Sequence, residues 1–163
     1  MKTDSHPWPT LLFLLATLLL ALQGCSDYPK DPDKTLQKVE NGILQVGYSD
    51  NPPWVVKTGQ EPTGIEPELV KGFAKSIHAT VRWHNDTEQN LFEGLKRKQY
   101  ALVVAGITDD NPWKTEKVGF TRPYLKGNKK HVMVTIQGEN AFIVRLEKYL
   151  HQQEKATPKH QQP

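Results

Sequence analysis

Tyr100–Tyr124, YALVVAGITDDNPWKTEKVGFTRPY, decides the fold. Its opening run, Ala101-Leu102-Val103-Val104-Ala105, is continuous, apolar and β-branched at its centre. Such a run, closed by glycine, reads as a strand buried on both faces of a parallel sheet. Gly106 lets the backbone turn closely, and Thr108-Asp109-Asp110-Asn111-Pro112 is loop chemistry. In open α/β sheets ligands sit outside the carboxyl ends of strands, so the loop from Gly106 to Lys114 is where a site is expected.

Outward from this stretch the chain alternates. On the N-terminal side a helix is predicted over about Glu88–Lys98, with Leu91, Phe92 and Leu95 inward. Its closing Lys96-Arg97-Lys98 places cations at the negative helix end. Thr80–His84 reads as a strand. Before it Ile65, Leu69, Val70, Phe73, Ala74 and Ile77 recur at helical spacing. Pro67 suits that helix's first turn, and Glu66 and Glu68 suit its positive start. Ile43–Tyr48 is the first strand, and Ser49–Trp54 is the loop at its end. Val55-Val56 and the turn Lys57-Thr58-Gly59-Gln60 make a hairpin-like excursion. Strand, helix, strand, helix, strand is the rhythm of a parallel sheet with right-handed crossovers. On the C-terminal side Lys129–Ile136, KKHVMVTI, is a fourth strand. A helix follows with Phe142, Ile143, Leu146, Tyr149 and Leu150 on one face.

The ends have their own chemistry. Leu11–Leu22 is almost wholly apolar, but twelve residues at about 1.5 Å each are too short for a bilayer core. That is the h-region of a signal peptide, with 1–24 as the leader. Leu22-Gln23-Gly24-Cys25 resembles the lipobox of bacterial lipoproteins, which implies lipidation of Cys25; Ser26 by analogy favours the outer membrane. Residues 25–41 are polar and proline-bearing and read as anchor and flexible tether. The folded lobe is placed at 42–151, and 152–163 is expected to be disordered.

The charge is +3, with lysines and acids interleaved, which argues against a nucleic-acid partner. Cys25 is the single cysteine, so a disulfide or a thiolate metal cage within the chain is excluded. The histidines are scattered, and no nucleophile motif or phosphate-cradling glycine loop stands out. Asp50, Asp109 and Asp110 could serve as acid–base groups or hard-metal ligands, but Asp-Asp-Asn-Pro is also an ordinary turn. The expectation is no metal, no cofactor and no catalysis.

Three segments in register carry a wider resemblance: ILQVGYSDNPPW, TGIEPELVKGFAK and the AGxT-to-FTRPY stretch. Together they resemble the first lobe of the type II periplasmic solute-binding proteins, in the amino-acid-binding branch of the ABC importers. The implied fold is an α/β three-layer sandwich with a mostly parallel central sheet, as one lobe. In that family roughly ninety residues of a second lobe follow the fourth strand. Here Gln137-Gly138-Glu139-Asn140 leads at once into what resembles the family's final helix, as if the second lobe were excised.

The resemblance also implies a site. Trp54 falls where an aromatic stacks on the ligand, and Gly106 and Thr108 match the AGxT that contacts a carboxylate. Lys114 stands where the family places a forking arginine, and lysine supplies charge without the planar fork. The loop also runs one residue longer, with Pro112-Trp113. Asp50 completes the candidate set; Arg122 and Tyr124 are expected to be structural. Halving a contact energy of about −8 kcal/mol leaves about −4, which is millimolar. The expected function is therefore a lipid-anchored, periplasmic solute-binding-like protein for an amino acid or similar small polar solute. A permease, a sensor or a second copy would complete the half-site. The alternative is an envelope interaction or regulatory module with no small ligand.

Overall fold

The computed structural model describes residues 31–115, 117–126 and 129–156. The expected leader, Cys25 and residues 157–163 lie outside them. The chain runs α1 (Thr35–Val39), β1 (Ile43–Tyr48), α2 (Ile65–Ser76), β2 (Thr80–Asn85), α3 (Glu88–Lys96) and β3 (Leu102–Val104). After a 3-10 turn at Pro112–Thr115 come β4 (Val118–Phe120), β5 (Leu125–Lys126), β6 (Lys130–His131), β7 (Val134–Ile136) and α4 (Asn140–Ala156).

The main sheet has the order β2-β1-β3-β7-β4. β1 pairs parallel with β2 and with β3, while β7 runs antiparallel between β3 and β4. The sheet is thus mixed and mostly parallel, the expected single lobe of the type II architecture. β3 is buried at every residue because helices cover both faces. Leu102 and Val104 face the α2 and α4 side with Phe73 and Phe142, while Val103 and Ala105 face α3 with Leu91 and Phe92. The alternation of a strand sorts one apolar run into two cores.

The fourth strand of the sequence reading splits in two. Val132 N–H donates to the Ile107 carbonyl at 2.9 Å, and Met133 N–H donates to Thr121 Oγ1 at 3.0 Å. Those bonds replace a continuous ladder. They leave β6 in a hairpin with β5 and β7 in the main sheet.

β7 passes through Gly138, at φ 84°, directly into α4. α4 returns over α2, where Phe73 meets Phe142 edge-on at 5.7 Å and Tyr149 at 5.9 Å. It continues to Ala156, into the segment expected to be disordered.

The expected tether over 25–41 also needs correction within 31–41. Val39 is 6% exposed in the core, and Leu36 packs against it. The fully buried carboxylate of Glu139 accepts from the backbone N–H of Asp33 at 2.9 Å and of Thr35 at 2.8 Å. Free N–H groups at a helix start attract an anion, so a glutamate at the entry to α4 docks α1. A pair of apolar residues three apart was too short a pattern to announce it.

Candidate functional site

The site is built at the carboxyl ends of β1 and β3. Asn51 and Val55 bridge each other, as do Val56 and Thr63, so the excursion after β1 is a small closed structure. Asn51 Nδ2 donates to the Ala105 carbonyl at 2.8 Å, which ties this loop to the end of β3. Asp50 is exposed, and its Oδ1 accepts from Lys57 N–H at 2.6 Å. It closes its own turn.

Gly106 lies at the centre. Its φ is +65°, and an added Cβ would fall 2.5 Å from Asn51 Nδ2 and 2.7 Å from Trp54 Cδ1. Only glycine admits both that backbone and that approach. Its N–H donates to Glu66 Oε2 at 2.8 Å, and so already has an acceptor inside the protein. Beyond it Thr108 bridges His131 and donates from Oγ1 to Asp110 Oδ1 at 2.5 Å. The Thr108 hydroxyl first, then the Asp110 backbone N–H, and after these the Lys129 and Lys114 ammonium groups, hold Asp110 below the usual carboxylate range. Asp109 pairs with Lys130 at 3.8 Å.

The extra residues of the loop have a packing role. Trp113 stacks on Phe92 of α3 at 5.0 Å and 22°. Asn111 Oδ1 accepts from Trp113 N–H at 2.9 Å, and Asn111 Nδ2 donates to Glu88 at 3.0 Å. The 3-10 turn so anchored carries Lys114 at an exposed position on its outer end. Trp54, Gly106 and Thr108 therefore share one shelf, Lys114 stands on its rim, and Asp50 is engaged in its own turn.

Two residues in this region escaped the sequence reading. Glu66, taken there as a helix-start acid, is fully buried. Its Oε1 accepts from Tyr124 Oη at 2.6 Å while Oε2 holds Gly106. Burial pushes its carboxyl up to about 7, against the pull of Tyr124 and the Gly106 and Ala105 backbone. Tyr124 is raised as well, by burial first and then by Glu66. A signal was present: Glu66 sits four before Val70 and seven before Phe73, on the apolar stripe itself. The second is His131, 6% exposed, whose ring stacks on Trp54 at 3.7 Å and 26°. Nothing in KKHVMVTI distinguishes it.

Among the described residues no group of three or more His, Cys, Asp or Glu is placed to hold a metal, and no helix is long and apolar enough to cross a membrane. A groove of about 470 Å³ between Arg122–Tyr124 and α4 involves none of the predicted site residues. Arg122 itself is exposed, and its Nε lies 3.6 Å from Glu147.

Comparison with known proteins gives three findings. The family profile of the bacterial extracellular solute-binding proteins, family 3, matches residues 44–160. The chain is 31% identical over 117 residues to a membrane-bound lytic murein transglycosylase F of Pseudomonas fluorescens, covering 70% of this chain and 23% of that protein. It is 27% identical to the arginine-binding extracellular protein ArtP of Bacillus subtilis, covering 77% of this chain and 46% of that one. The chain thus spans under half the length of these relatives. Among solved structures, the arginine-bound form of domain 1 from TmArgBP superposes with a TM-score of 0.62 at 20% identity, over 68% of this chain and 93% of that one. An ancestral cationic amino acid solute-binding protein gives 0.64 at 14%, over 76% and 93%. At these identities the structures speak for the fold alone.

Proposed function

Since the chain belongs to family 3 of the bacterial extracellular solute-binding proteins, we propose that it is a non-enzymatic, single-lobe binding module for an amino acid or similar small polar solute. The observation that carries this reading is the lacing of two strand-end loops into one shelf. Asn51 holds the end of β3, Glu66 holds Gly106, and Thr108 pairs with the β5–β6 hairpin. Trp54 supplies an aromatic surface, Thr108 a hydroxyl, and Lys114 a charge for a carboxylate. Domain 1 of TmArgBP, which shares this fold, exists in an arginine-bound form, and that precedent is why arginine is the first solute to test. The proposal includes the lipid anchor at Cys25, the periplasmic side of the envelope, weakly favouring the outer membrane, and a permease, sensor or second copy that covers the shelf.

A second reading draws on the transglycosylase relatives, of which this chain matches less than a quarter. They suggest a lobe that serves as an interaction or regulatory module in the envelope, with no small ligand.

Thermal unfolding of the full chain with and without arginine separates the two. At ten times a millimolar Kd, a ligand adds about 1.4 kcal/mol. For a lobe of this size that raises Tm by about 4–6 °C. The solute reading expects that rise, and its loss in Lys114→Ala. No rise with arginine or any other amino acid would favour the module.

A further inference from the structure

We propose that His131 is the positioning residue of the half-site, the seat that fixes the Trp54 indole relative to the Gly106–Thr108 turn. The inference rests on the solute-binding reading above and names a residue that no strand-end motif contains. His131 joins three segments. Its backbone bridges Thr108, and the preceding Lys130 carbonyl accepts from Asp109 N–H at 2.9 Å. β6 pairs it with Leu125 across the hairpin. Its ring lies flat on Trp54.

Trp54 needs such a seat. Its loop contributes backbone contacts to α2, with the Trp54 carbonyl accepting from Glu66 N–H at 3.0 Å, but nothing in these bonds sets the ring's angle. Two groups do: the Gly106 backbone at the indole edge and the imidazole on its face. A stacked pair of this kind contributes orientation as well as buried area. The half-buried indole is then presented to solvent in one pose, and a ligand meets it without first ordering it. Burial, and next the Lys129 charge, hold the imidazole below its ordinary range against the Gly106 backbone. That shift favours the neutral ring.

The test uses the full chain labelled with 5-fluorotryptophan, with the Trp54 resonance assigned by Trp54→Phe. His131→Gln keeps a polar side chain without the ring, and His131→Phe keeps a ring. Expected is a Trp54 resonance that shifts and broadens in His131→Gln and returns in His131→Phe. Arginine affinity should fall about tenfold in His131→Gln, as in Trp54→Ala, with no further loss in the double variant, and recover in His131→Phe. A Trp54 resonance unmoved by His131→Gln overturns the inference, as does an affinity loss that persists undiminished when Trp54 is already alanine. If the wild-type chain takes up no solute, the functional reading fails by that result, while the free-protein resonances still decide whether His131 seats Trp54.

Discussion

Tyr124 Oη donates to Glu66 Oε1 at 2.6 Å, joining the start of α2 to the segment that leads into β5. The same carboxylate holds Gly106 N–H, so three stretches far apart in the chain meet at one buried acid. Glu66 is thus the pin under the shelf, and its protonation is coupled to the shelf's stability.

The sign of that coupling follows from its raised carboxyl, about 7 in the fold against 4.5. The native state binds the proton more tightly than the unfolded chain does. Its contribution is full below about pH 4.5 and lost as pH rises through about 7, a change on the order of 3 kcal/mol. Asp31, raised to about 6 by burial and by Glu139, adds a slope of the same sign. Urea unfolding between pH 4.5 and 7.5 should therefore show a slope that Glu66→Gln flattens without abolishing. An unchanged slope in Glu66→Gln would mean that the acid does not titrate in this window.

Gly106→Ala should lose about 2–5 kcal/mol, from a left-handed backbone that costs an alanine about 1–2 and from overpacking of about 1–3. The added methyl meets Asn51 and Trp54, so Trp54 emission should shift with the loss of stability. A variant as stable as the wild type would show that the turn relaxes at no cost.

Glu139→Ala removes the acceptor of one buried and one part-buried amide and should destabilise by about 2–4 kcal/mol. Hydrogen exchange is the sharper readout, because residues 33–41 should lose protection before the sheet does. Glu139→Gln, which keeps one acceptor oxygen, should recover part of it. Equal loss of protection throughout the lobe would mean that α1 is no separate unit.

Much of this was legible because periodicity is local. β1, α2, α3 and the apolar run of β3 follow from alternation, helical spacing and closure by glycine, and the parallel pairing of β1 with β2 and β3 follows from the strand–helix–strand rhythm. What escaped depends on partners distant in sequence. α1 exists because Glu139 lies more than a hundred residues away to receive its amides. KKHVMVTI breaks into two strands because Ile107 and Thr121 bond its middle. Trp113, read as an insertion in the loop, is a packing residue because Phe92 faces it. For the site, the family resemblance named Trp54, Gly106, Thr108 and Lys114 as candidates, with Asp50 beside them. It could not show that Gly106 N–H already has an acceptor or that Trp54 already has a ring against it.

In the proposed function, two laced loops on a lone lobe form a solute shelf. Titration of the 15N-labelled full chain with arginine and then with other amino acids, followed amide by amide, tests it most directly. Saturable shifts with a Kd of about a millimolar are expected, concentrated in 51–56, 106–115 and 130–132 and abolished by Lys114→Ala. Shifts absent for every solute, or spread along α4 and the Arg122 groove instead, would contradict it.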